Sequence, residues 1–243
     1  MADSSIVRLN AAKKRAKKGG RPKLPHKIAP RDGRLELNER ELKSLDCLGA
    51  HQMRLEFLYL RSNFLRSFQG LGYMPNLKVV DVSSNCLESL EFLGVLPNLR
   101  ELYLNANSLV SLDDLPTMPL LETLSVTQNE IPSLRFMQPQ PSLRAFFFSH
   151  NLVESFDGMP AFPKLDSLRC VGNPLERHEQ FMLTAVIACG PTIRKINGQL
   201  ISPEDHELAA SFSAVTSIAI RYGAMVGDGD PQMFLFEMQK HET

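Results

Sequence analysis

The sequence predicts an α/β solenoid: short coils stacked so that their strands form a curved parallel sheet on the concave side, with a degenerate coil at one end and a helical cap at the other. Three observations lead there. Asn recurs at Asn63, Asn85, Asn107, Asn129, Asn151 and Asn173, always 22 residues apart. Apolar residues keep fixed offsets from it, with Leu55, Leu77, Leu99, Leu121, Leu143 and Leu165 eight positions upstream. Pro75, Pro97, Pro119, Pro141 and Pro163 close five of the units. A fixed period of this length marks a stack of supersecondary units in which each buries the face its neighbour cannot bury alone.

Each column has a physical role. Leu58, Val80, Leu102, Leu124, Phe146 and Leu168 alternate with Leu60, Val82, Leu104, Val126, Phe148 and Cys170, the period-2 pattern of a short strand with one face in the core. Asn then turns the chain, and its amide can bond free backbone groups of neighbouring coils. Pro ends the convex segment and sets an extended approach to the next strand. Six repeats are expected over residues 55–175, preceded by a degenerate capping coil over 35–54 in which Leu35, Leu37, Leu42 and Leu45 stand at an offset of 23.

Beyond the last Asn, residues 176–205 are expected to cap the stack. Phe181, Met182, Ala185, Val186 and Cys189 recur at helical spacing until Gly190-Pro191, and Ile193 and Ile196 precede the turn signal Asn197-Gly198. Residues 206–243 are expected to form a terminal helix and tail. Ser202-Pro203-Glu204-Asp205 opens that helix with an N-cap, a first-turn proline and acids. Leu208, Phe212, Val215, Ile218 and Tyr222 continue one face of it as far as Gly223, and the apolar Met233-Phe234-Leu235-Phe236 of the tail is expected to dock on the body.

Composition narrows the function. Of 243 residues 43% are apolar, enough for a real core, and no apolar run approaches the roughly 20 residues of a membrane helix. With no leader-like apolar segment and four cysteines without a C-x-x-C pair, the chain is expected to be reduced and intracellular, without structural zinc. Residues 1–34 hold 11 Lys/Arg and 2 Asp, whereas 35–243 hold 16 Lys/Arg against 25 Asp/Glu, a net of −9. A basic arm is therefore attached to an acidic body.

The pattern L-x-x-L-x-L-x-x-N-x-L resembles the short, 22-residue class of leucine-rich repeat proteins, that of the nuclear protein-phosphatase-1 regulatory subunit, the spliceosomal A-prime protein and several axonemal proteins. The resemblance covers about residues 35–205. Asn173-Pro174-Leu175, Phe181, Val186, Pro191, Ile193, Ile196-Asn197-Gly198 and Glu204 are similar to the C-terminal cap of the A-prime and axonemal members, with Ile-Asn-Gly standing where Leu-Asp-Gly is usual. It implies a non-catalytic protein-binding scaffold.

Alternation across the sheet aims the third, fifth and seventh residues of each repeat at the concave face. The candidate binding residues are Phe57, Tyr59, Arg61, Val79, Asp81, Glu101, Tyr103, Asn105, Phe147 and Arg169, aromatics and charges of the kind that anchor interfaces. The plainer reading is that these aromatics pack on neighbouring strands or lie under the chain's own tails. The arm, with Lys13, Lys14, Arg15, Lys17, Lys18, Arg21 and Lys23, suits nuclear import, nucleic acid or an acidic surface such as tubulin, or is a solvated tail. Without interleaved aromatics it would contact phosphates or carboxylates rather than stack on bases.

No P-loop, dinucleotide-binding, zinc-protease or nucleophile-elbow motif occurs, so an enzyme is the least favoured reading, and neither cofactor, metal nor small-molecule substrate is expected. The expected role is a scaffold that grips a protein segment in its concave groove while the arm holds an acidic surface, with a structural place in the ciliary or flagellar axoneme favoured. The alternatives are a ribonucleoprotein component in the nucleus, with RNA on the arm, and a phosphatase-1 regulator.

Overall fold

The computed structural model describes residues 32–227, 229, 230 and 232. Strand β1 (Arg34–Glu36) is followed by a 3-10 segment (Asp46–Arg54) and six strands at the 22-residue period: β2 (Phe57–Tyr59), β3 (Val79–Asp81), β4 (Glu101–Tyr103), β5 (Thr123–Ser125), β6 (Ala145–Phe147) and β7 (Ser167–Arg169). The cap contributes a 3-10 segment (Pro174–Arg177), helix α1 (Phe181–Cys189), β8 (Lys195–Ile196), β9 (Gln199–Leu200), α2 (Pro203–Ser211) and α3 (Ala214–Arg221). All nine strands form one sheet in sequence order. The pairing is parallel from β1 to β8, and β9 turns back antiparallel on β8. This is a leucine-rich repeat solenoid with a helical cap.

Register follows the columns. Leu58 sits opposite Val80 and Leu102 opposite Leu124, whereas Leu35 reaches Leu58 across the offset of 23. Every central strand residue is buried under its neighbours, so leucines of successive coils form one continuous core with Leu35, Leu37, Leu42 and Leu45 closing its first end. Burying one such side chain contributes about 1.5–3 kcal/mol.

The asparagine column carries the backbone around its turn. Asn85 accepts from the Leu65 amide at 3.1 Å and donates to the Leu60 and Val82 carbonyls at 2.9 and 2.8 Å. The prolines occupy the second position of a turn just before each strand, as in the Leu77 amide bonding the Met74 carbonyl around Pro75. Proline presets φ for that place.

At the cap, α1 is buried nearly all round, because the last coil covers one side while α2 and α3 pack on the other. Gly190 ends it at φ 82°, and Asn197 and Gly198, both at positive φ, make the tight turn joining β8 to β9.

The expected single terminal helix is corrected to two. Phe212 is extended, and Ser213 starts α3 as a second N-cap whose hydroxyl accepts from the Thr216 amide. The break also changes the buried face. Leu208, Ile218 and Tyr222 point outward, while Ala219, Ile220, Ala224 and Met225 go inside. The apolar spacing that suggested one continuous face therefore runs across a kink. No helix among the described residues is long and apolar enough to cross a membrane.

Candidate protein-interaction face

One face of the sheet is sealed against the core, and the other is lined by the third, fifth and seventh residues of each repeat. All ten candidates lie on it: Phe57, Tyr59, Val79, Asp81, Glu101, Tyr103, Asn105 and Phe147 are half-buried, and Arg61 and Arg169 are exposed. Along the fifth-residue row the order is Tyr59, Asp81, Tyr103, Ser125, Phe147, Arg169, one strand apart each.

The structure divides these residues into two clusters. The first gathers Tyr59, Asp81 and Tyr103 on adjacent strands, flanked by Phe57, Val79 and Glu101. Within it the Tyr103 hydroxyl donates to Glu101 Oε2 at 2.7 Å, and Arg61 Nε lies 3.6 Å from Asp81 Oδ2. Burial, then the Glu101 hydrogen bond and the charge of Asp81 push the Tyr103 phenol up to about 12. The centre of this cluster is thus electronegative, with aromatic rings on either side. The second cluster is Phe147 with the Arg169 guanidinium 5.4 Å from its ring centre. Ser125 separates the two; it is buried and donates to Asn105 Oδ1 at 2.6 Å. Tyr103 and Phe147 are consequently two strand spacings apart, roughly 10 Å, and serve as separate anchors.

Arg34 of β1 was missed from sequence. Its guanidinium lies 4.5 Å from the Tyr59 ring centre and pairs with Glu36, extending the first cluster onto the capping coil. The offset of 23 was the available signal, since it places Arg34 directly beside Phe57. Exposed aromatics away from this face were missed as well. Phe92 and Phe136 are 58% and 69% exposed on the convex side at φ 66° and 65°, where the equivalent turns elsewhere carry Gly70 and Gly158.

The six asparagines are buried in the turns behind the face rather than on it. The arm residues Lys13, Lys14, Arg15, Lys17, Lys18, Arg21 and Lys23, and the tail's Met233-Phe234-Leu235-Phe236, lie outside the described residues. All four cysteines are free thiols. Cys170 and Cys189 are buried, which pushes Cys170 well up and Cys189 up to about 12, so neither has the ionised character of a nucleophile. Among the described residues no group of three or more His, Cys, Asp or Glu is placed to hold a metal ion.

The family model described as "Leucine Rich repeats (2 copies)" matches residues 54–94. Among solved structures, the chain is similar to one from the Drosophila melanogaster SNF/U2A′ complex, at 18% identity over 74% of this chain and 80% of that one, with a TM-score of 0.40. No curated protein matches the chain.

Proposed function

We propose that this leucine-rich repeat protein is a non-catalytic scaffold that holds a protein segment on the open face of its sheet. Leucine-rich repeats as a class indicate protein interaction, and the finer assignment rests on one observation. The fifth-residue row displays Tyr59, Tyr103 and Phe147 where they add nothing to the core, on a rigid sheet and beside Asp81, Glu101 and Arg169. Large aromatics beside fixed charges on a preorganised surface are the composition of an interface anchor. A partner segment is expected to seat apolar side chains on both clusters and a cation over the electronegative first one.

The proposed setting is a cytoskeletal assembly of the axonemal kind, with the arm Lys13–Lys23 lying on an acidic protein surface such as tubulin. The basic run and the resemblance of the cap segment support it. Cross-linking of the tagged protein, with and without nuclease, followed by mass spectrometry tests the whole reading. Cross-links from the arm to tubulin or axonemal proteins that survive nuclease are the expected result, whereas splicing proteins lost on nuclease treatment would replace this setting with the ribonucleoprotein one. For the groove, replacing Tyr103 and Phe147 together by Ala should abolish capture of the cross-linked partner while the thermal melt stays nearly unchanged. Capture that survives the double replacement overturns the groove assignment.

A further inference from the structure

We infer that the cleft between the last coil and the cap is a binding site for a phosphate monoester dianion, carried as a phosphorylated side chain on a protein partner. The cleft, about 490 Å³, lies at the edge where the chain enters the strands, away from the open sheet face. Among the described residues it is lined by Arg144, Lys164 and Arg194, with His206 from α2 and a single carboxylate, Asp166. In a body whose sequence is net negative, a concave place with three permanent cations against one acid is a local reversal of sign.

The charge column that feeds this cleft shows why its cations are available. The residue immediately before each strand's first member runs Glu56, Lys78, Arg100, Glu122, Arg144, Asp166, and the cap continues it with Arg194. Upstream the neighbours close on one another: Lys78 pairs with Glu56 and Arg100 with Glu122. At the cleft Asp166 stands between Arg144 and Arg194 yet pairs with neither, and Lys164 joins no ion pair among the described residues. The two guanidiniums keep their planar donor forks free, the geometry that accepts a phosphoryl group with two hydrogen bonds each.

The frame around them is stiff. Pro163 and Pro191 each sit in a turn closed by a backbone bond, from the Leu165 amide to Phe162 and from the Ile193 amide to Gly190. The Thr192 hydroxyl donates to the Leu165 carbonyl at 2.8 Å, and the Arg194 amide to the Asp166 carbonyl at 2.8 Å, which ties cap to coil. The capping box of Ser202 and Asp205 fixes the start of α2 and so the place of His206. A rigid frame fixes where the cations start, so the backbone that carries them has little to reorganise on binding.

The charge count selects the ligand class. Two net positive charges match a dianion rather than the single charge per phosphate of a nucleic-acid backbone, and among the described residues no aromatic lines the cleft for a base to stack on. At about 490 Å³ the cleft has room for a phosphorylated side chain.

The test is a titration of the full-length, isotope-labelled protein followed by NMR, with O-phosphoserine flanked by alanines in a short peptide, the unphosphorylated peptide and inorganic phosphate as probes. Saturable shifts centred on Arg194 and His206 are expected with the phosphopeptide alone or more tightly than with phosphate. Replacing Arg144 and Arg194 by Gln should weaken binding roughly tenfold or more, and Asp166→Asn, which removes the one like charge, should tighten it. No saturable shift, or shifts indifferent to both replacements, would overturn the site. Inorganic phosphate binding as tightly as the phosphopeptide would overturn the assignment to a partner's side chain.

Discussion

Tyr103 stands on a surface that a soluble sheet would ordinarily leave to small polar residues, and its surroundings make it a weak acid. Its phenol is partly covered, donates to Glu101, and faces the charge of Asp81, all of which oppose ionisation and push it up to about 12. In the unfolded chain the same phenol ionises near its ordinary value of about 10. Between these values the unfolded state binds fewer protons than the folded one, so the stability contributed by the protonated phenol is complete below about pH 10 and lost as pH rises through about 12. Denaturant melts at stepped alkaline pH should therefore show a fall in stability over this window that is smaller in Tyr103→Phe. An identical slope in both proteins would show that the Tyr103 environment is not electronegative, and would remove the basis for expecting a cation from the partner.

At the scale of elements, the convex turns decide how the cap is held. Gly158 lies at φ 70° in the fifth repeat, and its amide donates to the Arg221 carbonyl at the end of α3 at 2.9 Å. A Cβ there would stand 2.2 Å from the Cα of Arg135 in the preceding coil, a backbone atom that cannot swing away. Gly158→Ala is thus expected to cost more than the roughly 1 kcal/mol of an ordinary left-handed alanine and to free α3 from the solenoid. Hydrogen exchange should show faster exchange at Gly158's neighbours and along Ala214–Arg221 while β2 to β5 stay protected; unchanged exchange in α3 would sink this account.

The same turns show what the sequence could and could not say. Repeat columns were legible because stacking forces the same environment on every coil, so Leu, Asn and Pro recur where the environment recurs. Phe92 and Phe136 hold glycine-like conformations without glycine's signature, in turns closed locally by the Leu93 and Met137 amides, and Ser62, Ser84, Ala106, Gln128 and His150 just before the asparagines do so because pairing with the next coil imposes the backbone there. The break at Phe212-Ser213 was hidden for another reason. The spacing of Leu208, Phe212, Val215 and Ile218 suits one helix, but Phe212 is extended and the Ser213 hydroxyl caps a new helix at the Thr216 amide. Of the candidate face, the residues were readable from alternation, but their division around Ser125 was not, since it depends on which side chains reach across strands. The cap's Ile196-Asn197-Gly198 is explained by a contact far off in sequence: Asn197 accepts from the Cys170 amide and donates to Glu176 Oε1, a bond that the aspartate usual at this place could not donate.

At the scale of the whole molecule, stability passes from coil to coil. The asparagine column is the polar part of that coupling, and Asn107 lies near its middle. It accepts from the Leu87 amide at 3.0 Å and donates to the Val82 and Leu104 carbonyls at 3.2 and 2.9 Å, all of them buried. Asn107→Leu would keep the volume but leave the buried Leu87 amide without its acceptor, at about 1–3 kcal/mol, while the Val82 and Leu104 carbonyls each lose one of two donors and keep those of Asn85 and Asn129. In a stack where each coil contacts only its neighbours, such a defect weakens one interface and leaves those on either side intact. Urea unfolding of Asn107→Leu is therefore expected to be lower in midpoint and shallower in slope, with hydrogen exchange resolving the coils before and after the break as separate steps. The same replacement at Asn63, beside the first capping coil, should lower the midpoint but leave the slope closer to that of the parent, because the defect then divides off only one end. Equal slopes in both variants and the parent would mean that the solenoid unfolds as a single unit, its cooperativity carried by the continuous leucine core rather than by the asparagine turns.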